Sequence, residues 1–375
     1  MKLHTMNNHY SHYYFSISLN IIMLIAILLT PVFAFAADSN SGCKELLTAI
    51  DRNDLVLVKS FINNTDLNCH CLDKEGKRIT IEKPTRNPVL AAARKGYLQI
   101  GEVLLENGAN VNLNPPGAET PLMAASQYGH IEFVKLLIKH GATVDLELDG
   151  RGTALVYASS GGHIDIMKFL LDKGADINAY ADGKGTPLIV ASENNRRQSV
   201  EYLLEKGAAI DKSVDGVGTP LSVSAMIGHI EMTKMLLNKG ADINTKIDGV
   251  GTALIEAAKN NHLQVADYLI KNGADVNAQV NGIGTPLSVS AVEGNIDVVR
   301  YLINEGADVN ASADGTSSAL IRAIKSNEES VVRLLLENGA DIRLVSMDGD
   351  TPAEIAKKFS NTTIQTLIYE YAGIE

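Results

Sequence analysis

Cys43 and the run Cys69-His70-Cys71 form the densest group of reactive side chains in the sequence. Thiols can pair, ligate a metal or carry redox chemistry. A C-x-C with one histidine falls well short of a four-ligand zinc spacing. A disulfide from Cys43 to Cys69 or to Cys71 and a free-thiol state are the two main readings. His130, His163, His229 and His262 stand in one register, and Asp149, Asp182, Asp215, Asp248 and Asp314 in another, with Asn281 on the rung before Asp314. Either ladder could suggest metal. Residues repeated on stacked helices lie roughly 8–10 Å apart. That is too far for two imidazoles to share a metal at about 2 Å, or for carboxylates to share calcium at about 2.3–2.6 Å. Turn formation explains both sets better. Gly183-Lys184-Gly185-Thr186 looks like part of a phosphate loop but lacks the upstream glycine. Gly-x-Ser-x-Gly, His-Glu-x-x-His and Gly-x-x-x-x-Gly-Lys-Ser/Thr are all absent.

These ladders are marks on a ruler. Thr followed by Pro-Leu or Ala-Leu occurs at Thr120, Thr153, Thr186, Thr219, Thr252 and Thr285, always 33 residues apart. The ruler extends back to Asn87-Pro88 and forward to Ser318-Ala319-Leu320 and Thr351-Pro352. A second mark runs through Gly108, Gly141, Gly174, Gly207, Gly240, Gly273, Gly306 and Gly339. Thr120 can cap a helix by accepting from an orphan backbone N–H. Pro121 suits the first helical position, where its missing donor has no partner to lose. Leu122, Ala125 and Ser126 make a thin face that lets a neighbour approach. After the Gly129-His130 turn, Ile131, Val134, Leu137 and Ile138 recur as a buried stripe. Gly141 stands where a left-handed residue ends the second helix. Asp149-Gly150 signals a loop. One unit is helix, turn, helix and hairpin-like loop, and it can bury its stripe only by stacking on its neighbours.

Composition agrees with that economy. The chain has 375 residues, no Trp and 5% aromatics, so Ala and branched aliphatics fill the core. With 33 basic and 44 acidic side chains the net charge is −11, and no local basic face offsets it for nucleic acid. The first 36 residues read as an address: Lys2 is the one full charge, Ile21–Leu29 is apolar, and Ala34-Phe35-Ala36 follows Pro31. The pattern is that of a secretory signal peptide cleaved between Ala36 and Ala37. The competing reading is an uncleaved anchor, although 21–36 is short for a membrane span and contains a proline. Export favours the disulfide over free thiols.

The pattern T-P-L-x-x-A, then G-H, then L-L-x-x-G-A-D-x-N, resembles the ankyrin repeat over about 330 residues from Lys44 onward. The resemblance implies an all-α solenoid of nine or ten helix-turn-helix-hairpin units, which binds other proteins through its concave face. The expected division is a signal peptide at 1–36 and a repeat domain at 37–375. Within the domain come a first unit at 44–65, an extended loop at 66–86, inner repeats at 87–350 and a last unit at 351–375. Two departures stand out. The usual His after Thr-Pro-Leu is replaced by Met123, Val156, Ile189, Ser222, Ile255, Ser288 and Ile321, so the hydrogen bonds it supports in relatives cannot be assumed. The loop also reads Asp-Gly-x-Gly-Thr, which predicts a different turn at its tip. Thr219–Gly251 matches Thr285–Ser317 at 17 of 33 positions but its neighbour Thr252–Gly284 at 11, as if units were duplicated in pairs.

On the concave face, departures from the repeat carry the information. Tyr128, Tyr157, Tyr180, Met226, Ile227, Val250 and Ile283 are apolar or aromatic where polar residues would serve, and such a stripe suits an interface core. The alternative is that several pack against neighbouring loops. The expectation is an exported, secreted or periplasmic, non-catalytic monomer that binds another protein. No cofactor, metal or nucleic acid is expected, and membrane contact only if the signal segment stays uncleaved. A host-directed effector is the second reading, and an enzyme with its site in the 66–86 loop a remote third. Sequons at Asn63, Asn310 and Asn361 matter only in a host that glycosylates.

Overall fold

The structure, a computed structural model, describes residues 39–69, 87–114, 118–148, 150–180, 183–313, 317–359 and 362–373. The proposed signal segment with Ala36 and Ala37 lies outside them, as do His70, Cys71, most of the 66–86 loop, Asp149, Asp182, Asp314 and Asn361. The described residues form ten helix pairs. The first four pairs are α1 (Ser39–Asp51) with α2 (Leu55–Phe61), α3 (Pro88–Lys95) with α4 (Leu98–Glu106), α5 (Pro121–Gln127) with α6 (Ile131–Lys139), and α7 (Ala154–Gly161) with α8 (Ile164–Asp172). Next come α9 (Pro187–Glu193) with α10 (Arg197–Glu205), α11 (Pro220–Ile227) with α12 (Ile230–Asn238), and α13 (Ala253–Lys259) with α14 (Leu263–Lys271). The last three are α15 (Pro286–Val292) with α16 (Ile296–Asn304), α17 (Ala319–Lys325) with α18 (Glu329–Glu337), and α19 (Pro352–Lys358) with α20 (Thr362–Ala372). None is long and apolar enough to cross a membrane.

First helices stack on first helices and second helices on second helices. The first-helix row is the tighter one. Its contact positions are Ala or Ser, as at Ala124, Ala125 and Ser126, or Ala257 and Ala258, all buried. The second helices fill the space between rows with longer side chains such as Phe133, Val134 and Leu137, which are also buried.

Capping follows the sequence with two exceptions. The hydroxyls of Thr120, Thr186, Thr219, Thr252, Thr285 and Thr351 accept from the backbone N–H three residues on. Those of Thr153 and Ser318 make no cap bond and are buried without a partner among the described residues. At Ser222 and Ser288, where the resemblance leads one to expect histidine, the side chain returns the cap. Ser222 Oγ accepts from Thr219 N at 2.9 Å, and Ser288 Oγ accepts from Thr285 N at 2.9 Å. A reciprocal capping box therefore closes the start of the first helix in these two units.

The loop departure also has a structural reading. Val214 and Gly218 exchange backbone hydrogen bonds at 3.1 and 2.9 Å, closing a tight hairpin tip around Asp215-Gly216-Val217. The same bridge recurs between Ile247 and Gly251 and between Val280 and Gly284. Gly218 has φ +119°, and a Cβ there would overlap Ser222 Oγ. Glycine before the threonine is thus demanded both by backbone conformation and by the cap that follows it.

Two ladders lock unit to unit. The ring nitrogens Nε2 of His130, His163, His229 and His262 lie 3.2, 3.0, 3.1 and 3.0 Å from the carbonyl oxygens of Arg94, Gln127, Glu193 and Met226. Each carbonyl belongs to the end of the preceding unit's first helix, where no intrahelical donor remains. A carbonyl can only accept, so Nε2 carries the proton. Arg196 donates to Ser160 O, and Asn295 to Ala258 O and Lys259 O, at the same position in their units. The second ladder runs the other way. The side chains of Asn112, Asp145, Asn178, Asp211, Asn244, Asn277 and Asn310 accept from the backbone N–H of the next unit at 2.7–3.0 Å. The sequon residue Asn310 is thereby engaged.

Candidate interaction face

Cys43 and Cys69 are joined by a disulfide, with their Cα atoms 6.0 Å apart. It ties the start of α1 to the chain that leaves α2. Cys43 is fully buried, and neither cysteine is placed for ligation. Among the described residues no group of three or more His, Cys, Asp or Glu is arranged to hold a metal. The histidine ladder is used up in inter-unit hydrogen bonds. Asp215 and Asp248 stand at exposed hairpin tips, so the described part of the aspartate ladder consists of turn residues.

The inner face is built from the exposed side of the first helices and from the hairpin tips. Across α7, α9 and α11 these enclose a cavity of about 320 Å³. Val190 and Val223 lie on its floor with Tyr157. Val217, from a hairpin tip, and Met226, from the end of α11, line it as well. Lys184 at the next tip holds its ammonium 4.1 Å from the centre of the Tyr157 ring, a cation–π contact that covers one aromatic face. The cavity is apolar within and polar at its rim, where Glu193 and Asn194 stand.

The seven residues singled out from sequence do not form one stripe. Tyr157 and Met226 line this cavity. Met226 and Ile227 pack with Val217 against Ile189, Val214 and Val223. Tyr157 is only 8% exposed, so it is floor rather than a projecting anchor. Val250 and Ile283 are half-buried, and Ile283 packs against the main core. Tyr128 is 54% exposed and stacks on His130 of its own unit. Tyr180, 51% exposed, lines a separate depression with Asp145, Asp176 and Lys212. The Asp145 carboxylate there serves the inter-unit ladder, accepting from Asp176 N at 2.9 Å, and the Asp176 carboxylate accepts from Asn178 N at 2.9 Å within its own unit. Packing against neighbouring loops therefore accounts for part of the set.

Val190 and Val223 are cavity residues that the sequence reading does not single out. Their signal was present in the 33-residue register, which puts Val190 and Val223 in line with Tyr157. The asparagines of the second ladder were missed as well, although they recur at one spacing.

A family model described as ankyrin repeats in three copies matches the chain in overlapping windows, at residues 46–148, 90–181, 144–214, 209–280 and 279–346. No curated protein matches it. Ankyrin repeats are protein-interaction modules, and the family is generally non-catalytic. The matched windows run through the units whose stacking, caps and inner face are described above, and the chain belongs to the ankyrin-repeat family.

Proposed function

We propose that this chain is an exported, non-catalytic ankyrin-repeat protein that binds another protein through its inner face. The observation that carries the reading is the apolar cavity shared by three successive units, floored by Tyr157, Val190 and Val223 and walled by Val217 and Met226. A cavity spanning several units suits a macromolecular segment better than a small molecule, and its polar rim over an apolar centre is the usual composition of a protein interface. Export is supported by the apolar run and Ala-x-Ala pattern before Ala37 and by the Cys43–Cys69 disulfide, a bond that persists in oxidising compartments.

The test is a crosslinking pull-down with the full chain and with Met226→Asp, checked for equal helicity. One partner caught by wild type and lost by the variant supports the inner face. Equal capture by both places binding elsewhere. The amino-terminal sequence of the protein recovered from its native cell tests export directly: a start at Ala37 supports it, and an intact first segment in the cytosol refutes it.

A further inference from the structure

The register counts each unit from its capping Thr as first, and the fifth position is the one of interest. In three successive units it is Tyr157, Val190 and Val223, and all three line the cavity floor. In the next three it is Glu256, Val289 and Arg322. Glu256 is 5% exposed, comparable with Val190 at 4% and Val223 at 2%, which do line the cavity. The flanking first helices α11 and α15 bring no charged residue. Burial holds the carboxyl above the ordinary carboxylate range, and Lys259, one turn along the same helix, is the one charge among the described residues that acts against this. No side-chain hydrogen bond among the described residues satisfies it. Arg322 differs, because its guanidinium already donates to Ile283 O at 2.6 Å and to Ser288 Oγ at 3.2 Å.

A buried acid with so little support costs stability, and valine serves at this position in the units on either side. Such a violation of the local pattern is expected where a group awaits something from outside. We propose that the inner face takes an extended segment of a partner protein, whose apolar side chains sit over Val190, Val223 and Met226 and whose Lys or Arg reaches Glu256. This rests on the reading that the inner face is the binding surface. Stacked helices lie about 8–10 Å apart and an extended chain rises about 3.3 Å per residue. One unit therefore corresponds to about three residues of the bound segment. The basic residue stands about three positions from the apolar residue over Val223 and about six from the one over Val190.

The experiment selects a displayed library of random twelve-residue peptides on the folded full chain, on Glu256→Gln and on Met226→Asp. Wild type should enrich peptides with Lys or Arg three or six positions from an apolar residue. Glu256→Gln should keep the apolar preference and lose the basic one. A synthetic peptide selected on wild type should bind Glu256→Gln about thirtyfold more weakly or worse, as expected when a desolvated charge pair loses one partner. Its Lys→norleucine version should bind the two proteins alike. Enrichment with no basic preference, a basic preference that persists on Glu256→Gln, or no enrichment on wild type overturns the proposal. If Met226→Asp enriches the same peptides as wild type, the inner-face reading fails along with it.

Discussion

His163 Nε2 sits 3.0 Å from the carbonyl oxygen of Gln127, thirty-six residues earlier in the chain. The bond joins the turn of one unit to the end of the preceding first helix. It gives a repeated histidine a role that needs neither metal nor catalysis. His163→Ala should leave that partly buried carbonyl unpaired and cost about 1–2 kcal/mol in urea unfolding. His163→Asn should recover part of the loss, since Asn295 makes the same kind of bond. Equal loss in both variants would mean that ring packing, not the hydrogen bond, holds the joint.

Gly218→Ala tests the hairpin tip. The new methyl meets Ser222 Oγ and forces an L-residue to hold φ +119°. A cost of about 1–3 kcal/mol is expected from the strained backbone alone. Made on a Ser222→Ala background, which already lacks the returned cap, the same glycine substitution should cost only the conformational part. An equal cost on both backgrounds would show that the overlap contributes nothing.

Glu256 predicts a pH dependence. Burial raises its folded-state pKa above the ordinary value of 4.5. The native fold therefore holds this proton more tightly than the unfolded chain does. The resulting stability is full below the unfolded pKa and is lost as pH rises through the folded one. Glu256→Gln lacks this loss. Its Tm relative to wild type should move upward between pH 4 and pH 7. A difference that stays constant across that range would contradict a raised carboxyl.

The disulfide spans 26 residues, and closing such a loop is worth about 3–4 kcal/mol by chain entropy. Because each unit touches only its neighbours, Cys69→Ser should act locally. Hydrogen exchange should quicken in α1 and α2 and stay unchanged from α9 onward. Uniform quickening through all ten pairs would show that the array unfolds as one block.

Much of this fold could be read from the sequence because its determinants are short-range and repeated. Thr120, Pro121 and Gly141 each act within a turn of their own position, so their spacing alone places the helices. The fate of Tyr157 and Tyr180 was harder to foresee. Tyr157 sits in α7 beneath Lys184 of the next unit, and Tyr180 sits in a loop and faces a different depression. What covers each ring depends on the neighbouring unit, through contacts not encoded in its own unit. The same holds for Thr153, whose sequence context matches other capping threonines but whose hydroxyl makes no cap bond. Ser222 shows the opposite case: the histidine is missing, and the hydroxyl still closes the cap from the other side.

The two inter-unit ladders run in opposite senses. Ring or side-chain donors reach back to the previous unit, while Asn and Asp acceptors receive from the next. The six units from Thr120 to Ser317 thus present the same pair of fittings at their two ends, and His, Arg and Asn are interchangeable parts in one of them; Tyr97 and Glu328 take that position in the units before and after. Removing or copying any of these six units leaves each new junction with matched fittings. The array can lengthen or shorten in steps of 33 residues without redesign of a joint, in keeping with the pairwise likeness of Thr219–Gly251 and Thr285–Ser317. What changes with each step is the order of side chains along the inner face, so the reach and recognition pattern of the protein can vary while its joints stay the same.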